Sequence, residues 1–411
     1  MIRFIHTADL HLGTENYGKI DSKTGMHTRL LDFAQALNFC ITTAIEQQVD
    51  FFLFCGDAYK TASPSQTQQK ILLKAFLRLY KTGIPVVIVL GNHDNPMSFG
   101  KTHSLDIFKE LPLDGFYVFA QPETIVLPTT SGPIQIVGIP WPTRNSLAIS
   151  NKYHFHSAQQ ITDYITRAIS TIIDKTAQQL DITIPAILAA HIAVSTGTFS
   201  GSEKHAIYSN DLTFLPSQLA HSQFDYVALG HLHRHQNLNK QKQPPIVYPG
   251  SIERIDFGER NDVKGFCLVT IYDKEHTEYE FIKSPMRPFI QIEVQLTEET
   301  DQTEQLLTQI KQHQLDNAIV KIFYYLPLGS KDTVNMRSIQ YACSRAHHIV
   351  GIIPIRQPFS REQRMSLKVE MDLATLLSNY FDTKPAWKGK KNRLIEQALM
   401  LYDASKQTEE R

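Results

Sequence analysis

Five short stretches, far apart in the chain, each place the same few polar residues directly after an apolar run. Ile2–His6 is followed by Asp9 and His11, Phe51–Phe54 by Gly56-Asp57, and Val86–Leu90 by Gly91-Asn92-His93-Asp94. Ala186–Ala190 is followed by His191, and Tyr226–Leu229 by Gly230-His231-Leu232-His233. Continuous apolar runs of this length read as strands covered on both faces. Between them lie segments of helical spacing: Leu30, Phe33, Ala34, Leu37, Ile41, Ala44 and Ile45, then Ile71, Leu72, Ala75, Phe76 and Leu79. Strands alternating with helices imply a layered α/β sheet. Ligands of such sheets bind beyond the carboxyl ends of the strands, so the five stretches are expected to deliver Asp, His and Asn to one edge.

Further strands are expected near Phe116–Phe119, Ile125–Leu127, Ile134–Ile139, Ile246–Tyr248 and Phe266–Ile271. A helix over Ala158–Gln179 would bury Ile161, Tyr164, Ile165, Ala168 and Ile172. Ser284-Pro285-Met286-Arg287-Pro288 marks a boundary. After it come a strand over Ile290–Leu296, a helix over Gln302–Gln312 and a strand over Ile319–Tyr325, which make a small α+β unit. Two helical patterns close the chain, one on Leu373, Leu376, Leu377 and Tyr380, the other on Leu394, Ile395, Ala398, Leu399 and Tyr402, with Pro385 between them. The expected division is residues 1–283, 284–362 and 363–411, consistent with a chain of 411 residues being too long for one ordinary domain.

The polar set has the chemistry of a metal site. Imidazole, carboxylate and amide oxygen without thiolate suit Mn²⁺, Fe²⁺ or Zn²⁺ better than a soft sulfur site. The ligands are too many for one ion, and a closed structural zinc site would use only four. Two ions sharing a carboxylate would use them all; such a pair lowers the pKa of a bound water and clamps a phosphate oxygen. Alone, Gly-Asp is an ordinary turn and Asp-x-His a common accident. Gly-Asn-His-Asp and Gly-His-x-His after buried strands are far rarer, and all five pieces occur together.

Charge adds little, because 41 basic and 41 acidic residues cancel and any nucleic-acid binding must use a local surface. The densest basic cluster, Lys388-Gly389-Lys390-Lys391-Asn392-Arg393, reads first as a solvated helix start. The four cysteines, Cys40, Cys55, Cys267 and Cys343, form no CxxC pair and read as buried thiols of a reducing compartment. No apolar run is long enough to span a bilayer, and the first residues run directly into a strand pattern, so a cytoplasmic protein without membrane contact is expected.

The same five pieces are the signature of the calcineurin-like metallophosphoesterases, which the chain resembles over roughly residues 1–280. The run Tyr248-Pro249-Gly250-Ser251-Ile252-Glu253-Arg254-Ile255-Asp256-Phe257-Gly258-Glu259 resembles more narrowly that of the SbcD exonucleases, as do Ser200-Gly201-Ser202-Glu203 and Met286-Arg287-Pro288-Phe289. The fold implied is a β-sandwich flanked by helices, with a small α+β capping domain that contacts DNA and C-terminal helices. The resemblance implies Asp9, His11 and His233 on a first ion, Asn92, His191 and His231 on a second, and Asp57 bridging both. His93 would protonate the leaving oxygen, with Asp94 fixing its ring. Mn²⁺ is the first expectation for the metals, with Mg²⁺, Fe²⁺ and Zn²⁺ as alternatives. Implied partners are DNA and an SbcC-type coiled-coil ATPase gripped by the C-terminal helices, with a homodimer inside a heterotetramer. Lys60 departs from relatives that carry a further histidine there and reads as a solvated lysine.

The expected function is therefore a two-metal exonuclease and endonuclease of DNA repair and recombination. A phosphatase or cyclic-nucleotide phosphodiesterase with the same metal core is the alternative. A catalytically silent scaffold is disfavoured, because every expected ligand and the acid are present.

Overall fold

The computed structural model describes residues 1–95, 102–143, 158–201, 212–240, 242–274, 276–356, 373–382 and 389–409. Ser202, Glu203, Pro385, Lys388 and the expected boundary at 362/363 lie outside them. The chain opens with β1 (Ile2–Thr7), α1 (Thr28–Glu46), β2 (Phe51–Cys55), α2 (Gln66–Lys81), β3 (Val86–Val89), α3 (Ile107–Glu110) and β4 (Phe116–Phe119). It continues with β5 (Glu123–Thr129), β6 (Gly132–Ile139), α4 (Ala158–Gln179), β7 (Ala186–His191), β8 (Ala193–Val194), β9 (Thr213–Phe214), β10 (Tyr226–Gly230), β11 (Gln236–Asn237) and β12 (Ile246–Tyr248). After β13 (Gly265–Asp273), β14 (His276–Lys283) and β15 (Phe289–Gln295) come α5 (Gln302–Ile310), β16 (Ile319–Leu326), α6 (Met336–Ala342), β17 (His348–Arg356), α7 (Leu373–Asp382) and α8 (Lys391–Glu409).

Two six-stranded sheets carry the site, in the orders β14-β13-β1-β2-β3-β4 and β11-β12-β10-β7-β6-β5. In the first, β1 to β4 are parallel; in the second, β6, β7, β10 and β12 are parallel. Alternation along the pleat sorts the side chains. Phe51, Leu53 and Cys55 join Phe4, Val87, Ile187, Ala189, Tyr226 and Ala228 in a layer drawn from both sheets. Phe52 and Phe54 point the other way, into a core shared with Phe33, Leu37 and Ile41 of α1 and Leu72 and Phe76 of α2. The outer face of the second sheet packs on α4. The fold is thus the layered α/β arrangement that the apolar runs imply, in the form of the sandwich flanked by helices that the family resemblance implies.

Local signals explain the helices. Ser65 and Gln68 form a reciprocal capping box at the start of α2. His27 caps α1 by accepting from the Arg29 N–H. The apolar face of α1 is interior. Helix α4 is rotated slightly from expectation: Ile165, Ile169, Ile173 and Ala177 are buried, while Ile161 and Ile172 sit at the margin. The strands β14 and β17 and the helix α6 escape the apolar pattern. In β14, polar residues alternate along an edge, and β17 is interrupted by Gly351 and Pro354, which a strand tolerates at an edge.

The strands β15, β16 and β17 form a separate three-stranded sheet with β16 in the middle. The chain divides into two compact units. The first takes in Met1–Gln291, Gln314–Lys321 and Cys343–Gly351; the second takes in Ile292–His313, Ile322–Ala342 and Ile352–Arg411. In the second, Asp301 caps α5 by accepting from the Thr303 and Glu304 N–H groups at 2.8 and 3.0 Å, and Leu306, Ile310 and Ile339 are buried. The helices α7 and α8 pack on each other and leave Tyr380, Met400, Leu401 and Tyr402 exposed. Among the described residues no helix is long and apolar enough to cross a membrane, and all four cysteines are free and buried.

Candidate metal centre

The carboxyl ends of β1, β2, β3, β7 and β10 lie along one edge, and backbone hydrogen bonds lace the first loops together. The Asp9 N–H donates to the Gly56 carbonyl at 2.9 Å and the His11 N–H to the Asp57 carbonyl at 3.0 Å. Asp9, His11, Asp57 and His231 all have positive φ (53°, 43°, 59° and 106°). For a residue with a Cβ this costs on the order of 1–3 kcal/mol, and it persists only where surrounding structure enforces it. Two glycines are dictated by close approach: a Cβ on Gly91 would overlap the Asp57 carboxylate, and one on Gly230 would overlap the Cys55 carbonyl.

All seven expected ligands converge. Asp9, His11 and His233 offer ligand atoms within 4.8 Å of one another, as do Asp9, Asp57 and His191. The Asp57 Oδ2 lies 3.6 Å from both His11 Nε2 and His191 Nε2. The Asn92 Oδ1 is 3.0 Å from His191 Nε2 and 3.2 Å from His231 Nδ1. The Nε2 atoms of His11 and His233 face each other at 3.0 Å. His93, whose side chain is 35% exposed, brings its Nε2 to 4.0 Å from Asp57 Oδ2 and makes a third group with His11 and Asp57.

These residues fit a pair of divalent cations. Burial holds His191 down to about 3, against the hydrogen bond to the Cys55 carbonyl. Burial, then repulsion among neighbouring histidines, pushes His11 and His231 well below the ordinary value. Such rings stay neutral and keep the lone pair that a metal needs. The His231 Nδ1 faces the Asn92 Oδ1, so the two can share an ion, while the Nε2 of the same ring is buried with no hydrogen-bond partner. Burial also raises Asp57, a tendency that a neighbouring cation reverses. The outward nitrogens are held in turn: His191 Nδ1 donates to the Cys55 carbonyl at 2.7 Å and His233 Nδ1 to Glu259 Oε1 at 2.9 Å.

One expected contact is corrected. Asp94 does not touch the His93 ring. Its carboxylate is fully buried and accepts from the N–H groups of Asp57 (2.8 Å), Gly91 (2.9 Å) and Ala58 (3.0 Å), which ties the loops after β2 and β3 together. A buried carboxylate must fill its lone pairs, and three backbone donors beneath the loop do so. Burial, then the charge of Asp57, pushes its pKa up to about 7. The His93 ring is held instead by the Lys60 carbonyl, 2.9 Å from Nδ1, so position 60 contributes backbone at the site while its side chain is exposed.

Three contributors carry little or no local signal in the sequence. Glu259 and its ion-pair partner Lys264 (3.0 Å) stand behind His233. The first lies in the Tyr248–Glu259 run, where nothing local separates it from a surface acid. Trp141, partly exposed, tilts against His231 with ring centroids 5.0 Å apart and meets His191 edge-on at 6.2 Å. It comes after β6, a strand end that carries no ligand type; its only signal is the Pro140-Trp141-Pro142 punctuation.

A two-sheet sandwich with a His/Asp/Asn cluster at one polar edge defines a metal-dependent phosphoesterase. The family model for calcineurin-like phosphoesterases matches residues 2–235. The chain belongs to that family, whose members are dimetal-dependent hydrolases of phosphoesters. It is similar to the uncharacterized metallophosphoesterase YhaO of Bacillus subtilis (strain 168), with 29% identity over 290 residues. That match takes in 68% of this chain and spans 60% of the relative's length. Matching solved structures include a dimetal phosphatase from Danio rerio (10% identity, 69% of this chain and 99% of that one, TM-score 0.39). Another is the phosphopantetheinyl hydrolase PptH of Mycobacterium tuberculosis (13% identity, 61% and 89%, TM-score 0.31).

Proposed function

We propose that this metallophosphoesterase is a two-metal DNA nuclease of the SbcD type. The observation that carries the reading is that the Tyr248–Glu259 run, the segment most like the SbcD exonucleases, reaches the metal centre through the Glu259–His233 hydrogen bond. In this reading Asp9, His11 and His233 would hold one ion, Asn92, His191 and His231 would hold the other, and Asp57, equidistant from His11 and His191, would serve both. Bound together, two cations would activate water and offset charge on the phosphoryl oxygens. The chain's own part is acid catalysis and alignment. His93, fixed at Nδ1 by the Lys60 carbonyl and reachable by solvent, would pass a proton from Nε2 to the leaving oxygen. Asp94 keeps the Asp57 and Gly91 backbones in register beneath it.

The resemblance extends the proposal to partners. Residues 284–362 would contact DNA, and α7 with α8, whose Met400, Leu401 and Tyr402 are exposed, would grip an SbcC-type ATPase within a heterotetramer built on a homodimer. Mn²⁺ is the proposed metal. The purified protein with Mn²⁺, offered linear DNA, hairpin DNA and an aryl phosphate diester in parallel, should cut all three. Cleavage of the small ester alone would point instead to a phosphatase or cyclic-nucleotide phosphodiesterase. Co-purification with the ATPase should be lost when residues 366–411 are deleted; equal binding removes the tail from the interface.

A further inference from the structure

We infer that the buried Glu259–Lys264 pair is a positioning device for His233, and that it makes the ion held by Asp9, His11 and His233 the tighter of the two. This rests on the reading of His233 as a ligand.

Two ends of one ion pair grip the same residue. Glu259 Oε1 accepts from His233 Nδ1 at 2.9 Å, while Lys264 Nζ donates to the His233 carbonyl at 2.8 Å. The pair itself closes at 3.0 Å between Lys264 Nζ and Glu259 Oε2, with both side chains wholly buried. Oε2 also accepts from the Ile255 N–H at 2.8 Å, and the Ser251 N–H donates to the His233 carbonyl at 3.0 Å. Ring and backbone of His233 are thus both pinned by the Ser251–Lys264 stretch, and the ring's Nε2 is turned toward His11.

The other half of the centre has no such charge behind its rings. His191 Nδ1 donates to a neutral carbonyl, that of Cys55, and His231, whose Nδ1 faces its fellow expected ligand Asn92, has no hydrogen-bond partner at its other nitrogen, Nε2. A carboxylate on the far nitrogen fixes the tautomer and raises the basicity of the ligating one, whereas a neutral acceptor does the first and little of the second. Stability alone does not account for the pair: a buried ion pair is often no better than an apolar filling of the same volume. A role toward the ligand gives it a reason to be there.

The test is metal titration of the full-length protein with Mn²⁺ alone, followed by calorimetry, with melting temperature as a check on folding. The wild type should show two unequal sites. Glu259→Gln, which keeps shape and an acceptor but removes the charge, should weaken the tighter site by about 10–100-fold and leave the weaker one within about twofold. Equal weakening of both sites, or of neither, would overturn the inference. A second measurement needs no variant: crystals of the wild type grown with one equivalent of Mn²⁺ should show anomalous scattering among Asp9, His11 and His233. A peak among Asn92, His191 and His231 instead would also overturn it. A wild type that takes up no Mn²⁺ at these residues would remove the ligand reading itself, and this inference with it; two ions bound with equal affinity would remove the inference only.

Discussion

The two six-stranded sheets bring different chemistry to the same edge. From the ends of β1, β2 and β3 come Asp9, His11, Asp57, Asn92 and His93, a set with two carboxylates and an amide. From β7 and β10 come imidazoles alone: His191, His231 and His233. The first set is laced together loop to loop, through the Asp9–Gly56 and His11–Asp57 backbone hydrogen bonds and the three bonds to the Asp94 carboxylate. Within the second, His191 is anchored by a carbonyl and His233 by a carboxylate. The difference teaches a division of labour: one sheet supplies the carboxylates and the amide, the other supplies oriented rings. Loss of Asp57, the proposed shared ligand, should therefore be felt by both ions, and loss of a single ring should stay local.

Asp57→Asn is the largest expected effect. Losing the shared charge should cost several kcal/mol of transition-state stabilisation, about 10⁴-fold in turnover, together with both ions. Metal content by mass spectrometry checks it, and two retained tight ions would break the comparison. Replacing His93 with Ala should lower kcat about 10²–10⁴-fold with metal content intact, because an acid is lost and no ligand; an active variant would end the acid role. Asp94→Asn should cost about 3 kcal/mol of stability, since an amide cannot accept three N–H bonds and would set its own donors against them. The check is denaturant unfolding, and a change under about 0.5 kcal/mol would show that the loops do not depend on Asp94. Trp141→Ala sharpens the comparison at its weakest point. The stack on His231 is worth about 1 kcal/mol, so kcat/KM should fall about fivefold while the Asp9–His11–His233 ion is retained. Loss of that ion as well would show that the two halves are not independent.

Much of the site is legible in the chain because strand-end residues are written in order along it. A buried parallel strand is a continuous apolar run, and the residues directly after it must lie at the carboxyl edge. Gly91-Asn92-His93-Asp94 and Gly230-His231-Leu232-His233 therefore announce both their place and their chemistry. The hidden features share one property: each depends on a neighbour distant in sequence. Asp94 looks like a partner for the adjacent His93, yet its carboxylate turns under the loop toward Asp57 and Ala58. Glu259 becomes part of the site only because the chain after β12 returns beneath His233. Trp141 matters only because β6 lies beside β7 in the sheet. The strand β14 leaves no apolar signature because an edge strand need not be apolar, and the apolar run of β17 is broken by Gly351 and Pro354.

By itself, the amino-acid sequence determined the ligand types, their order and the alternating strands and helices that bring them to one edge, since hydrophobic period and turn residues are local properties. Only the tertiary structure decided which nitrogen of each histidine faces inward, which carboxylate ties the loops together, and which charge stands behind which ring. Those choices are made by hydrogen bonds and close approaches across tens to hundreds of residues, where no local pattern can record them.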